Sequence, residues 1–405
     1  MTRRRALAAL GLAVAAALAV YSTNWIWHVV GEWKPLTDFN IYFDAYRSAR
    51  AGRNPYDPDA IGTGFLYHPF VLTLVGLVAS LGRAGAATVW VGASALVWVG
   101  ALALAIRLVD LLGGHVPSGT RWALFAGGLL FAPAWDTLYG GQINGFVVVS
   151  TLLAVYLAET DRSLLGGSAL ALAVTLKTSP VLLAGYFVGT RDWRALAGLA
   201  GGVGLFTLLP AMQFSPDIVG QYVAATAQLS GTVDAFPGNK SLAAVTLRLA
   251  EAFGWSVGTG TARLLRELLV VGSGLVLGAT ALARPVRTAT AGRWFLAGLS
   301  TAVVALSPLV WYHHGTLLLF PLVALLTARE GWVRAVGLLA AFLVQADRIV
   351  EQAFIGWGVL PRVGVPMLAA QLLVLVVASG LYLRAWRDGP SEWAWARYRR
   401  LLARE

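Results

Sequence analysis

Asp38 opens a short amphipathic stretch, TDFNIYFDAYRSAR (Thr37–Arg50), with Phe39, Tyr42 and Phe43 behind it on one side. A carboxylate in that position can take a proton from a hydroxyl as a general base, or it can cap its own helix. Lys177 lies in LALAVTLKTSPVLLAGYF, between two apolar runs, with Pro180 three residues on. A cation there either snorkels from a helix end or sits in a polar cavity for an anionic headgroup, because charge at membrane depth is costly and marks function. YGGQING (Tyr139–Gly145) sets two carboxamides, Gln142 and Asn144, after paired glycines. The other reading of that motif is a glycine turn followed by an Asn cap. In FPGNKS (Phe236–Ser241), Asn239 and Ser241 are both potential caps, and the triplet fits the N-glycosylation pattern, a weak signal.

Two further groups test metal chemistry. LSPLVWYHHGTLLL puts Trp311, Tyr312, His313 and His314 at a proline-marked helix boundary. Neighbouring histidines on a helix point about 100° apart, which argues against both holding one metal. Asp57 and Asp59 form a D-x-D pair, but between NPY and Pro58 they read as a turn. Asp44 falls on the solvated face of its stretch. No metal and no cofactor is called for.

The elements that must position these residues are apolar. The 405-residue chain is 58% hydrophobic and only 13% charged, with a mean hydropathy of +0.68, against about a quarter charged in a soluble domain. Apolar runs at 6–30, 69–82, 85–109, 122–134, 143–159, 164–176, 179–190, 195–213, 262–283, 293–307, 309–327, 332–347 and 366–386 predict an all-α polytopic membrane protein. About 11–13 of these are transmembrane or partly inserted helices, several of them shorter than the roughly 20 residues a span needs. The stretches 216–230 and 241–254 are amphipathic short helices. No soluble domain interrupts the pattern, so residues 1–405 form one integral membrane unit.

The net charge of +11 would suggest nucleic acid in a soluble protein. Here the arginines cluster at the ends of apolar runs, the positive-inside pattern, and nucleic acid is not an expected partner. With no cysteine, disulfides and thiolate chemistry are excluded. The N-terminal run at 6–30 reads as an uncleaved first span, with a signal peptide as the alternative. Counting back from the basic tail, 387–405, places YGGQIN, LKTSP, the loop at 214–261 and WYHH outside, in a plasma-membrane protein whose site faces the extracytoplasmic side. Counting forward from the N-terminus puts YGGQIN inside unless 69–82 or 122–134 fails to cross.

Taken in order, TDFNIYFDAYRSARAGRNPYDP, FLYHPFVLTLVGLVASLG, YGGQINGFVVV, the LKTSP segment, FPGNKSL and LSPLVWYHH resemble glycosyltransferase family 87 over roughly residues 33–327. The resemblance implies a GT-C fold whose first extracytoplasmic loop, 31–68, carries the catalytic acid. It also implies a polyprenyl-phosphate sugar donor, with mannose as the sugar and a lipid or cell-envelope glycan as acceptor. On that pattern Asp38 is the general base. Tyr42, His68, Gln142, Asn144, Lys177, Asn239, Ser241, Trp311, His313 and His314 bind donor or acceptor. His68 departs from the family pattern, standing in YHPF where the family has a second proline. A phosphate leaving group needs no bound nucleotide, and one recognisable outside acid favours a single-base inverting mechanism over a two-carboxylate one. The rival reading is a transporter or flippase of a lipid-linked anion, which would share a cation at a broken helix.

Overall fold

A computed structural model describes residues 36–57, 64–230, 238–283, 286, 288–307, 309–356 and 364–388. The first span expected at 6–30, Asp59 and the tail beyond Asp388 lie outside the described residues. All regular structure among the described residues is helical. Ala79–Leu111, Trp193–Gln213 and Val365–Arg387 are long and apolar enough to cross a membrane. Asn144–Glu159 and Ser163–Leu176 are shorter apolar helices packed beside them.

The helices gather into two groups. In the first, Gly82–Leu111 packs on Asn144–Glu159, which packs on Ser163–Leu176, which packs on Trp193–Gln213. Glycine permits the closest of these contacts: a Cβ on Gly167 would stand 1.8 Å from the Ala195 O, the small-residue approach that helices use in lipid. In the second, Ala289–Ala305 packs on Val365–Asp388, which also packs on Gly331–Gly356. Ala289–Ala305 is buried from Ala291 to Ala305, as an all-round apolar helix must be.

Three apolar runs that read as single segments are broken. The run at 122–134 divides into Ser118–Leu129 and Ala132–Gly140. Pro133 falls in the first turn of the new helix, where its missing N–H costs nothing, and the Ala132 N–H donates instead to Gln345 Oε1 at 2.9 Å. The run at 179–190 begins as a 3₁₀ turn, Ser179–Leu183, and 309–327 begins as a longer one, Tyr312–Leu318. The run at 69–82 yields the seven-residue helix Phe70–Gly76, about 10 Å long at 1.5 Å per residue and too short to cross, and then the 3₁₀ turn Ala79–Leu81. The amphipathic stretches form Asp217–Ser230 and Leu242–Ala252, as expected.

Candidate active site

The site is built on the turn between Ala132–Gly140 and Asn144–Glu159. Gly141 takes the left-handed conformation, φ +63°, that closes the first helix. A Cβ there would stand 2.7 Å from the Phe39 Cβ, so glycine lets the helix Thr37–Arg50 dock directly on the turn. A Cβ on Gly140 would stand 2.9 Å from Asp38 Oδ2. Trp90 of the long helix donates to Gly141 O at 2.9 Å and packs beside Phe39 and Tyr42.

Asp38 lies in the first turn of its helix and does not cap it. The N-cap is Leu36, with no side-chain capping bond. Its carboxylate points at the glycine turn, beside the Gln142 amide. Burial pushes its pKa above the usual carboxylate range, and His313 opposes that shift most among the neighbouring charges. Tyr42 is fully buried and donates to Gln142 Oε1 at 3.1 Å. Tyr67, a residue the sequence motifs did not single out, donates to the same oxygen at 3.0 Å. With Oε1 accepting from two phenols, the amide N–H of Gln142 is left for Asp38.

Asn144 is not a cap either; Ile143 holds that position without a side-chain bond. Asn144 Oδ1 instead accepts from Lys177 Nζ at 3.1 Å. Lys177 is the C-cap of Ser163–Leu176, where the chain turns extended (φ −153°, ψ 124°) ahead of Pro180. Its ammonium also meets His314 Nε2, and among the described residues no carboxylate lies at ion-pair distance from it. His314 Nδ1 lies 3.1 Å from the Trp311 backbone nitrogen. The Nδ2 of Asn144 is buried with no hydrogen-bond partner among the described residues. Lys177 and the Asn144 amide therefore have N–H groups left over.

His313 and His314 share the 3₁₀ turn, with ring centroids 4.9 Å apart and planes at 80°. They face different partners, His313 Nδ1 lying 3.2 Å from Asp136 Oδ2. Asp136 was not read as a site residue, although an acid within two residues of an apolar run was the available signal. Trp311 is half-buried, and the bond that ties it to the site is the backbone one to His314.

The other three candidates have their polar atoms engaged elsewhere. His68 Nδ1 accepts from the Phe70 N–H at 3.2 Å, which leaves Nε2 to donate to Thr207 Oγ1 at 3.2 Å. Asn239 Oδ1 accepts from the Val310 and Ser241 N–H groups, each at 3.0 Å. Ser241 caps Leu242–Ala252 through the Ala244 N–H. Asn239 and Ser241 are fully buried; they hold the backbone that leads into Trp311. Asp44, expected on a solvated face, forms a two-pronged ion pair with Arg83, which also donates to Asn40 Oδ1 at 3.1 Å. That pair fastens Thr37–Arg50 to the long helix. Asp57 follows an Asx turn in which the Tyr56 N–H donates to Asn54 Oδ1 at 3.0 Å. Among the described residues no group of three His, Asp or Glu could hold a metal.

The site thus gathers a carboxylate, a cation and several amide and imidazole groups in one cluster inside a helical membrane protein. A search of curated protein sequences finds no significant match. The profile of glycosyltransferase family 87 matches residues 65–311, beginning after Asp38 and ending before His313. That match covers more than half of the chain, which therefore belongs to glycosyltransferase family 87 and is a membrane glycosyltransferase.

Proposed function

We propose that the protein moves a sugar, mannose by family likeness, from a polyprenyl-phosphate donor to a hydroxyl of a lipid or glycan acceptor, with inversion and with Asp38 as general base. One observation carries the reading. Lys177 Nζ and the Asn144 amide, with its Nδ2 N–H left over, converge with no carboxylate among them, next to Asp38. A cluster of donors short of acceptors is what a leaving phosphate requires, because charge-assisted bonds stabilise the charge that develops as the glycosidic bond breaks. Asp38, set against Gly140, takes the proton of the attacking hydroxyl. Its raised affinity for a proton suits that role, since a stronger base accepts it more readily.

The chamber on this reading faces the extracytoplasmic side of the plasma membrane. The docking of Thr37–Arg50 on the glycine turn supports the assignment: it sets YGGQIN on the same side as the first loop, which the basic N-terminus puts outside. Purified protein in liposomes, supplied with radiolabelled polyprenyl-phosphate mannose and a glycolipid acceptor, tests the reaction. Labelled acceptor of inverted anomeric configuration is the expected product. Lipid flux without transfer from any polyprenyl-phosphate sugar would replace the enzyme reading with a transporter.

A further inference from the structure

The donor-rich end of the chamber has a counterpart. Asp136 stands in Ala132–Gly140, one turn before the glycine pair, and is buried at 8% exposure. Its Oδ2 lies 3.2 Å from His313 Nδ1. A carboxylate only accepts, so Nδ1 carries a proton and donates it to this bond. The other ring nitrogen, His313 Nε2, is buried without a hydrogen-bond partner, in a residue of 7% exposure. An unpaired buried polar atom is destabilising unless something else supplies the missing bond. The Asp136 helix also carries Gly140, whose Cβ would stand 2.9 Å from Asp38 Oδ2, one turn beyond Asp136, so the Asp136–His313 pair stands beside the base.

We propose that Asp136 is a positioning residue that fixes His313 in its Nδ1–H tautomer and presents Nε2 as a hydrogen-bond acceptor for a hydroxyl of the sugar substrates beside Asp38. The inference rests on reading the chamber as a glycosyl-transfer site. It divides that chamber chemically. Lys177 and the Asn144 amide N–H offer donors, which match a phosphate. Asp38 and His313 Nε2 offer acceptors, which match sugar hydroxyls. The two adjacent histidines are held by different means, His314 Nδ1 against a backbone N–H and His313 Nδ1 against a carboxylate.

The test compares Asp136→Asn, Asp136→Glu, His313→Ala and the double variant Asp136→Asn/His313→Ala in liposomes, with KM measured separately for donor and acceptor. Asparagine can donate to Nδ1 and so turn the ring to its Nε2–H form with little change of shape. The expected result is a loss in acceptor kcat/KM of about ten- to hundredfold for Asp136→Asn, with donor KM unchanged and partial recovery in Asp136→Glu. The double variant should be no worse than His313→Ala alone, because residues acting as one unit are not additive. Spectra of ¹⁵N-histidine protein in nanodiscs give a readout independent of turnover. With five histidines in the chain, the His313 signal is assigned by its loss in His313→Ala. It should show Nδ1–H in the wild type and move toward Nε2–H in Asp136→Asn. Additive losses, an equal rise in donor KM, or a wild-type Nε2–H signal would overturn the proposal. Absence of transfer by the wild type would overturn the glycosyl-transfer reading instead, and the spectrum then decides the Asp136–His313 pairing alone, Nδ1–H for it and Nε2–H against.

Discussion

Two lysines turn inward in this protein, and their surroundings differ. Lys240 is buried and lies 3.3 Å from Asp347 Oδ2, a carboxylate that also accepts from the Met367 N–H at 2.9 Å. Beside it Arg248 donates to Asn239 O at 2.6 Å. Charge meets charge, and the cluster joins the loop before Leu242–Ala252 to the two helices at the end of the described chain. Lys177 meets Asn144 and the Nε2 of His314, with no acid at bonding distance. A cation balanced within the protein is a strut. A cation whose neighbours are neutral is open to an anion from outside, so the arrangement around each lysine, more than its depth, distinguishes scaffold from site.

Substitutions can break or sharpen that contrast. Asp38→Asn should lower turnover by about 100- to 10,000-fold, the span of general-base effects, with an unchanged melting temperature. The same base gives a pH signature. Burial raises its pKa, and the protonated carboxyl is inactive, so the acid limb of kcat/KM should fall at a pH above that of an ordinary carboxylate. A limb at the usual carboxylate position would remove Asp38 from the base role.

Lys240→Met comes next and should act on folding. Removing one partner of a buried pair strands the other, at a cost of about 3–5 kcal/mol, read as a large drop in midpoint by thermal or denaturant unfolding. Lys177→Met should do the reverse. Donor affinity should fall about ten- to hundredfold with loss of a charge-assisted bond, while the unfolding midpoint holds. If both lysines behaved alike in both assays, the contrast between strut and site would be wrong. Gly140→Ala should give a smaller, several-fold loss in kcat without a change in donor affinity. The new methyl meets Asp38 Oδ2 and shifts the base, and placement errors cost rate. Least of all, Asp57→Asn with Asp59→Asn should leave turnover unaltered and insensitive to EDTA; a metal requirement lost in that double variant would point back to the D-x-D pair.

What the sequence made legible follows from what apolar context hides. A lysine, two carboxamides and two histidines stand out against leucine and valine, so Lys177, Gln142, Asn144, His313 and His314 could be found one by one. Tyr67 could not, because a phenol beside a membrane reads as packing until its partner is known. Asp136 carried the right signal but sat in no motif, and its partner His313 is 177 residues away. The helix breaks were equally hidden. Hydropathy does not distinguish a 3₁₀ turn from an α-helix, and the break before Ala132 is supported by Gln345, 213 residues on. Asn239 and Ser241 stood out in the same way, and their side-chain oxygens accept from backbone N–H groups.

The 3₁₀ turn at Tyr312–Leu318 amounts to a three-sided post. With about three residues per turn, positions three apart eclipse, and each edge serves one neighbour. Tyr312 anchors one edge through Gln345 O, His313 turns the second to Asp136, and His314 turns the third to Lys177. Such a post is read by register. Deleting one residue ahead of it would rotate every edge by a third of a turn, handing the anchor's place to His313 and the Asp136 side to His314. Point changes along the post can be graded in their effects, but a shift in frame of a single residue exchanges the acceptor and donor ends of the chamber at once.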